Sequence, residues 1–221
     1  MLLKAAEEGD LDEVMSLSCQ PTVDLNEQDK SGFSALHYAV KNRRVAVVTF
    51  LLEQPTIDPN IQDYKGSTPL HLACHISDKN PFSESGQQAQ HTICGILIQN
   101  PRINLNVKDK KGRTPLIISI QSRDIQIFTL LMEHRPDTYL SDNDGCNVFH
   151  HACKLGLKYF VEKLIESGVN IEAKDKYGAR PVHYVARNNN IDLLIYLKSL
   201  GAQLNVPDDS GQTPHSISND N

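Results

Sequence analysis

The chain has 221 residues, of which 39% are hydrophobic and 22% charged, a composition typical of folded soluble domains or of one solenoid. No run approaches the about 18 apolar residues that a membrane-spanning helix needs, and acidic residues come too early for a signal peptide. A net charge of −5 argues against nucleic-acid binding. Five cysteines without Cys-x-x-Cys spacing predict neither a disulfide framework nor a zinc site. We therefore expect an intracellular protein, in the cytoplasm or alternatively the nucleus.

One short motif, an Asp followed three residues later by a Gly, recurs six times along the chain. The interval between successive motifs is nearly constant, apart from a longer one between the second and the third. Asp accepts hydrogen bonds from the backbone that follows it and Gly tolerates a positive φ, so each motif predicts a tight turn. The predicted turns begin at Asp29, Asp63, Asp109, Asp142, Asp175 and Asp208.

Two helices are predicted after most of these turns. Thr68 suits a helix N-cap, and Pro69 suits the first helical position, where no N–H is needed. Apolar residues then recur at helical spacing, first in a short helix and again in a second one. Gly168 and Gly201 follow second helices and fit left-handed C-caps.

The unit of turn, helix, turn and helix has a period of about 33 residues, and with Thr68–Ala73 opening its first helix it resembles the ankyrin repeat. The resemblance covers residues 1–215 and implies an all-α fold. That fold is an ankyrin-repeat solenoid of helix-turn-helix units with short projecting β-turn hairpins, in a right-handed stack. Departures from the family pattern are local: Ala35 replaces Pro, Ile117 replaces His, and Val148-Phe149 replaces Pro-Leu.

We expect a single ankyrin-repeat domain over residues 1–221. The last repeat opens with a turn and a Thr-Pro pair but has no second helix, so we expect a domain excised from a longer protein, with a short natural protein as the alternative. The predicted repeats are 1–28 as an N-terminal cap, 29–62, 63–108, 109–141, 142–174, 175–207, and 208–221 as a partial C-terminal repeat.

The third repeat is longer than the others, and its extra residues fall between its helices at about 77–90. This segment is polar and contains Pro and Gly, so we predict a loop. A tolerated surface loop is favoured over a partner-binding loop, because long loops cost little entropy. An exposed and ordered Phe82 would reverse that preference.

Four histidines lie eight residues after a turn Asp: His37, His71, His150 and His183. One histidine per repeat places neighbours about 10 Å apart, the spacing of packed helices, whereas a shared metal needs bonds of about 2 Å. We therefore interpret them as structural, each imidazole bonding the Thr hydroxyl and the turn backbone, and predict no metal site. His151 follows His150 directly, and adjacent helical residues are predicted to point in different directions.

Catalytic motifs for phosphate binding, nucleophilic serine or zinc proteolysis are missing, so we predict no catalytic residue, no cofactor and no enzymatic activity. An enzyme would require a cleft beside the third-repeat insertion. Among the cysteines, Cys74 and Cys153 are predicted to be buried. Cys146 lies on the turn side, and we predict that it is exposed and the best candidate for a reactive thiol.

In the ankyrin family, ligands usually contact the concave face, formed by the projecting turns and the exposed side of each first helix. The resemblance places five positions of each repeat there, and over the second to sixth repeats nine of these are Lys or Arg and one is acidic. The basic excess has two interpretations, solubility or steering of an acidic or phosphorylated peptide. The residues that we expect to bind a partner are Lys30, Phe33, Lys41, Tyr64, Lys65, Lys110, Lys111, Arg113, Lys154, Leu155, Lys176, Tyr177 and Arg187.

The resemblance therefore predicts a non-catalytic protein–protein interaction module, a scaffold or adaptor, that is monomeric by itself and does not insert into membranes. Two alternatives remain open, a regulatory or targeting domain of a larger enzyme or channel, and a bacterial effector that binds host proteins. The resemblance also makes Asn60 and Asn205 candidate sites of asparaginyl hydroxylation.

Overall fold

A computed structural model describes residues 1–75 and 84–219 and divides the chain into two compact units. Unit 1 comprises Met1–Lys110 with Gln126–Pro136, and unit 2 comprises Lys111–Ile125 with Asp137–Asn221. Within the described residues the regular structure is helical, and strand pairing is limited to an isolated bridge. The helices are α1 (Leu2–Glu8), α2 (Leu11–Ser18), α3 (Ala35–Lys41), α4 (Val45–Glu53), α5 (Pro69–Cys74), α6 (Glu84–Gln99), α7 (Pro115–Gln121), α8 (Ile125–Glu133), α9 (Val148–Lys154), α10 (Lys158–Glu166), α11 (Pro181–Arg187), α12 (Ile191–Ser199) and α13 (Pro214–Asn219).

The Asp-x-x-Gly motifs form turns that the Asp side chain closes. Oδ1 of Asp63 accepts hydrogen bonds from the backbone N–H groups of Lys65 (2.8 Å) and Ser67 (2.7 Å). Gly66 has a φ of 75°, and a Cβ there would lie 2.7 Å from the backbone nitrogen of Lys110. The turn prediction is therefore confirmed, and the same pair of bonds recurs at Asp29, Asp142, Asp175 and Asp208.

Successive turns within each unit are joined by backbone hydrogen bonds. In unit 1 the N–H of Tyr64, the residue after the turn Asp, donates to the carbonyl of Ser31 in the preceding turn at 3.1 Å. Because each such bond uses the same two turn positions, it sets the spacing between side chains of neighbouring turns. The equivalent donors and acceptors are Lys110 to Lys65 in unit 1, and Asn143 to Lys111, Lys176 to Asp144 and Asp209 to Tyr177 in unit 2.

The repeated histidines take part in capping the N-termini of the first helices, as predicted. Nδ1 of His71 accepts from the Thr68 hydroxyl (2.8 Å) and from the Thr68 backbone N–H (3.2 Å). His37 does the same with Ser34, and its Nε2 donates to the Ser67 carbonyl of the next repeat at 3.0 Å. Burial lowers the pKa of His37, which favours the neutral imidazole that this bonding pattern requires.

Each unit buries the apolar stripes of its helices. In unit 1, Leu36 of α3, Leu51 of α4 and Leu70 of α5 are fully buried. In unit 2, Ile117 and Phe149 occupy positions where the sequence departs from the ankyrin pattern, and both are fully buried. Apolar packing therefore replaces the usual histidine or leucine there without breaking the helix pair.

The predicted loop at 77–90 is wrong in its C-terminal half, because α6 begins at Glu84 and runs for 16 residues, against nine for α4. Residues 84–90 contain one Glu, three Gln and one Ala, which are good helix formers. The buried side chain of Gln90 also bonds this helical segment to the rest of unit 1. Nε2 of Gln90 donates to the Ala73 carbonyl at the end of α5 at 2.6 Å. Its Oε1 accepts from Nε of Arg43 at 3.1 Å. Phe82 lies outside the described residues.

Replacing Gln90 with Ala removes the donor to the end of α5 and the acceptor of Arg43. We expect a loss of about 1–3 kcal/mol in the free energy of unfolding, since the buried bond from Gln90 to the Ala73 carbonyl is lost together with the bond from Arg43. Gln88→Ala, at an exposed position of the same helix, is the matched control and should change it by less than about 0.5 kcal/mol. Urea denaturation measures both, and equal losses would contradict the proposed anchoring.

Candidate partner-binding site

The residues predicted to bind a partner are accessible to different degrees. Phe33, Arg113 and Leu155 are half-buried. The other ten are exposed: Lys30, Lys41, Tyr64, Lys65, Lys110, Lys111, Lys154, Lys176, Tyr177 and Arg187. Lys30, Phe33, Lys41, Tyr64, Lys65 and Lys110 belong to unit 1, and the remaining seven belong to unit 2.

In unit 1 the two predicted aromatic anchors differ. The Phe33 ring stacks on His37 with centroids 5.3 Å apart and meets the Tyr38 ring edge-on at 5.4 Å. The Lys41 ammonium lies over the Phe33 ring, 5.2 Å from its centroid. Phe33 is thus largely engaged in packing within its own repeat, whereas Tyr64 is 59% exposed.

Unit 2 contains a cavity of about 430 Å³, which we call the unit 2 cavity. Four of the predicted residues line it: Lys111 and Arg113 from one turn, Lys154 at the end of α9, and Tyr177 from a later turn. Arg187 lines a neighbouring cavity instead, together with Tyr177. The remaining residues that line the unit 2 cavity are Gln121, Asp142, Asn143, Asp144, Cys146, His151 and Tyr184.

The basic residues of unit 2 fall into two electrostatic classes. Lys176 forms an ion pair with Asp144, which raises the pKa of the lysine, and Arg187 pairs with Asp208 at 2.6 Å. Lys154 behaves differently: its ammonium lies 5.6 Å from the centroid of the Tyr184 ring. Across the described ranges it has no carboxylate within ion-pair distance. Among these three cations, Lys154 is therefore the one that lines the unit 2 cavity without an ion pair in the described ranges.

The other carboxylate oxygen of the turn Asp, Oδ2, is hydrogen-bonded by the side chain nine residues later. The Tyr184 hydroxyl donates to Oδ2 of Asp175 at 2.6 Å, and Nε2 of His151 lies 2.9 Å from Oδ2 of Asp142. Burial alone would raise the pKa of Asp142, but His151 and the backbone N–H of Cys146 keep it below its ordinary value. The prediction that His151 points away from its neighbour is confirmed.

Sequence reasoning missed Tyr184 and His151 as residues of this cavity. The signal for them was present as a hydrogen-bond donor nine residues after the turn Asp in three repeats, at Tyr38, His151 and Tyr184. The Tyr38 hydroxyl makes the equivalent bond to Oδ2 of Asp29 at 2.7 Å. This position therefore connects the first helix to its turn, and in unit 2 it also forms part of the cavity wall.

The prediction of an exposed, reactive Cys146 is wrong. The side chain is only 5% exposed, because its Sγ lies beneath the Tyr184 hydroxyl (3.4 Å) and near Oδ2 of Asp175 (3.9 Å). Burial raises the pKa of the Cys146 thiol to about 11, which suppresses the reactive thiolate. Cys74 and Cys153 are buried, as predicted.

The exposed thiol belongs to Cys19, since the four other cysteines are buried. We expect native protein to show a single rapidly reacting thiol with an aromatic disulfide reagent such as Ellman's reagent. Cys19→Ser should abolish that rapid phase, whereas Cys146→Ser should leave it unchanged. A rapid phase that disappears with Cys146→Ser and persists in Cys19→Ser would contradict this assignment.

Within residues 1–75 and 84–219, no group of three or more His, Cys, Asp or Glu side chains is arranged to hold a metal ion. No helix in the same described ranges combines the length and apolarity needed to cross a bilayer.

The family model described as Ankyrin repeats (3 copies) matches residues 2–80 and 84–175. The chain therefore belongs to the ankyrin-repeat family, and its fold is an all-α repeat solenoid. Among solved structures, it is similar to the ankyrin repeat domain of Bcl-3, with a TM-score of 0.82 and 22% identity over 98% of this chain and 92% of that chain. The ankyrin repeat protein EF0377 gives a TM-score of 0.75 and 23% identity over 89% of this chain and 96% of that chain.

A similar sequence is found in the human BCL-6 corepressor-like protein 1. The two are 32% identical over 91 residues, which is 41% of this chain but 5% of the relative. The chain thus spans only a small part of that relative's length.

Proposed function

We propose that this chain is a non-catalytic scaffold or adaptor that binds an acidic or phosphorylated segment of a protein partner. Ankyrin repeats are a generic protein–protein interaction module and are generally non-catalytic. The binding surface in this proposal is made by the turns and the exposed sides of the first helices. We further propose that the protein acts as a monomer inside the cell.

The observation that carries the proposal is the uneven charge around the unit 2 cavity. Lys111, Arg113 and Lys154 line it together, while the acidic Asp144 at its rim is already neutralised by Lys176. Each exposed charge pair contributes only about 0–1 kcal/mol in water, so several must act together. A cluster of cations also accelerates the encounter with an acidic partner.

A second candidate, a regulatory or targeting domain of a larger protein, is supported by the size of the human relative. The matched stretch there is 5% of the relative's length, so a comparable ankyrin segment is embedded in a much longer chain. The two proposals are compatible, because such a domain also acts by binding a protein segment.

The proposal predicts which peptides the chain selects from a random peptide library displayed on phage. Enriched peptides should carry net negative charge, and their affinity should fall as salt rises, because the attraction is screened. Reversal of Lys110, Lys111 and Arg113 to Glu should weaken the binding of these peptides at least tenfold.

The control variant reverses Lys158, Lys163 and Lys198 to Glu, which changes the net charge equally but on the second helices α10 and α12. It should bind selected peptides within about twofold of the native chain, since their encounter surface is untouched. Circular dichroism establishes that both variants are folded. Enrichment of neutral or basic peptides, or equal losses in the two variants, would overturn the proposal.

A further inference from the structure

We propose that the unit 2 cavity binds the dianion of a phosphomonoester carried on a peptide, that is, a phosphorylated side chain. This inference rests on the proposed function and specifies where in the surface the charged group sits and which anion it is. The residues that would contact the phosphate are Lys111, Arg113 and Lys154.

The charge of the cavity wall suits a phosphate dianion. Lys111, Arg113 and Lys154 contribute three positive charges, and Asp144 is offset by its ion pair with Lys176. Asp142 is the other carboxylate of the lining, and it is held by His151 and by two backbone N–H groups. The wall therefore brings three cationic side chains to one cavity beside two carboxylates that already have partners, and a phosphomonoester dianion attracts such a group of cations more strongly than a single carboxylate does.

The placement of the hydrogen-bond donors also suits a phosphate. Nη1 of Arg113 donates to Oε1 of Gln121 at 3.1 Å, which orients the guanidinium at the cavity wall. The Lys154 ammonium is held over the Tyr184 ring and not by a carboxylate. A phosphate has three acceptor oxygens, so a planar guanidinium and two ammonium groups can each donate to it.

The small extent of the basic surface favours a single phosphate over a polyanion. The cationic cluster is local, since the neighbouring cavity is lined by Asp208 and Asp209, and its one cation, Arg187, is paired with Asp208. A nucleic-acid strand tracking along these turns would meet repeated carboxylates, and the net charge of the chain is −5. One dianion on a short peptide fits this pattern, and an extended chain of phosphodiesters does not.

The test is a titration of the isotope-labelled chain, followed by amide NMR, with the short peptide Gly-Gly-phosphoSer-Gly-Gly. We expect saturable shifts centred on the amides of Lys111, Arg113 and Lys154. The same peptide with Ser or Glu in place of phosphoserine should bind at least tenfold more weakly. Inorganic phosphate should perturb the same amides at a higher concentration than the phosphopeptide.

Lys154→Glu and Lys198→Glu form the matched variant pair, because both replace an exposed lysine in the last turn of a helix. Lys154→Glu should weaken phosphopeptide binding at least tenfold, and Lys198→Glu should leave it within twofold. Lys154→Gln, which removes the charge without reversing it, should give an intermediate loss. The dispersion of the NMR spectrum shows that each variant is folded.

Four results would overturn the inference: shifts centred elsewhere, equal affinity for the Ser peptide, inorganic phosphate binding as tightly as the phosphopeptide, or tighter binding of a short oligouridylate. If acidic peptides selected from the library still bind in these cases, the proposed function stands and the phosphate site alone is wrong. If neither class of peptide binds, both are wrong.

Discussion

The turn aspartate is the interaction on which the rest of this chain depends. At Asp29, Asp63, Asp142, Asp175 and Asp208, Oδ1 accepts two backbone N–H groups, those of the second and fourth residues after the aspartate. These N–H groups have no helix or strand to satisfy them, and a buried N–H without a partner costs about 1–3 kcal/mol. The carboxylate therefore makes a tight turn stable in a segment that has no regular structure of its own.

The ordered turn then connects to its surroundings in two directions. Within unit 2, the N–H of Lys176 donates to the carbonyl of Asp144, and so joins one turn to the next. The Tyr184 hydroxyl on α11 donates to Oδ2 of Asp175, and so joins the turn to its first helix. Side chains next to the turn Asp are thereby held at fixed intervals, which is how residues one repeat apart come to line one cavity.

The turn aspartates limit where the surface formed by the turns can carry a net positive charge. Asp208 closes its own turn and also pairs with Arg187 on α11, which removes that arginine from the net positive charge. At the unit 2 cavity the turn Asp142 is held by His151, a side chain that need not be charged to bond it. The Lys154 ammonium consequently remains available at that cavity. The proposed binding site thus lies beside Asp142, the turn aspartate whose side-chain partner is a histidine.

Much of the fold was predictable, because turn chemistry and helix capping are local. Asp63, Gly66 and Thr68 specify a turn and a helix start from residues within one repeat. Ile117 shows the same point, since an apolar side chain at a histidine position still packs in the core.

The features that sequence reasoning missed depend on contacts between residues distant in sequence. Cys146 is buried by Tyr184 of the following repeat, 38 residues later. The helical part of the insertion is held by Gln90, whose partner carbonyl belongs to Ala73. Likewise the ion pairs of Lys176 with Asp144 and of Arg187 with Asp208 join neighbouring repeats, so they required the position of each aspartate in the fold.

The most direct test compares Asp142→Ala with Asp144→Ala, two aspartates in one turn. Oδ1 of Asp142 accepts two backbone N–H groups, whereas Asp144 is exposed and pairs with Lys176. Native-state amide hydrogen exchange measures the local stability of this turn directly. We predict that Asp142→Ala lowers the protection of the Cys146 amide by at least tenfold, while Asp144→Ala changes it by less than twofold. Equal protection in the two variants would contradict the claim that the turn aspartate organises this chain.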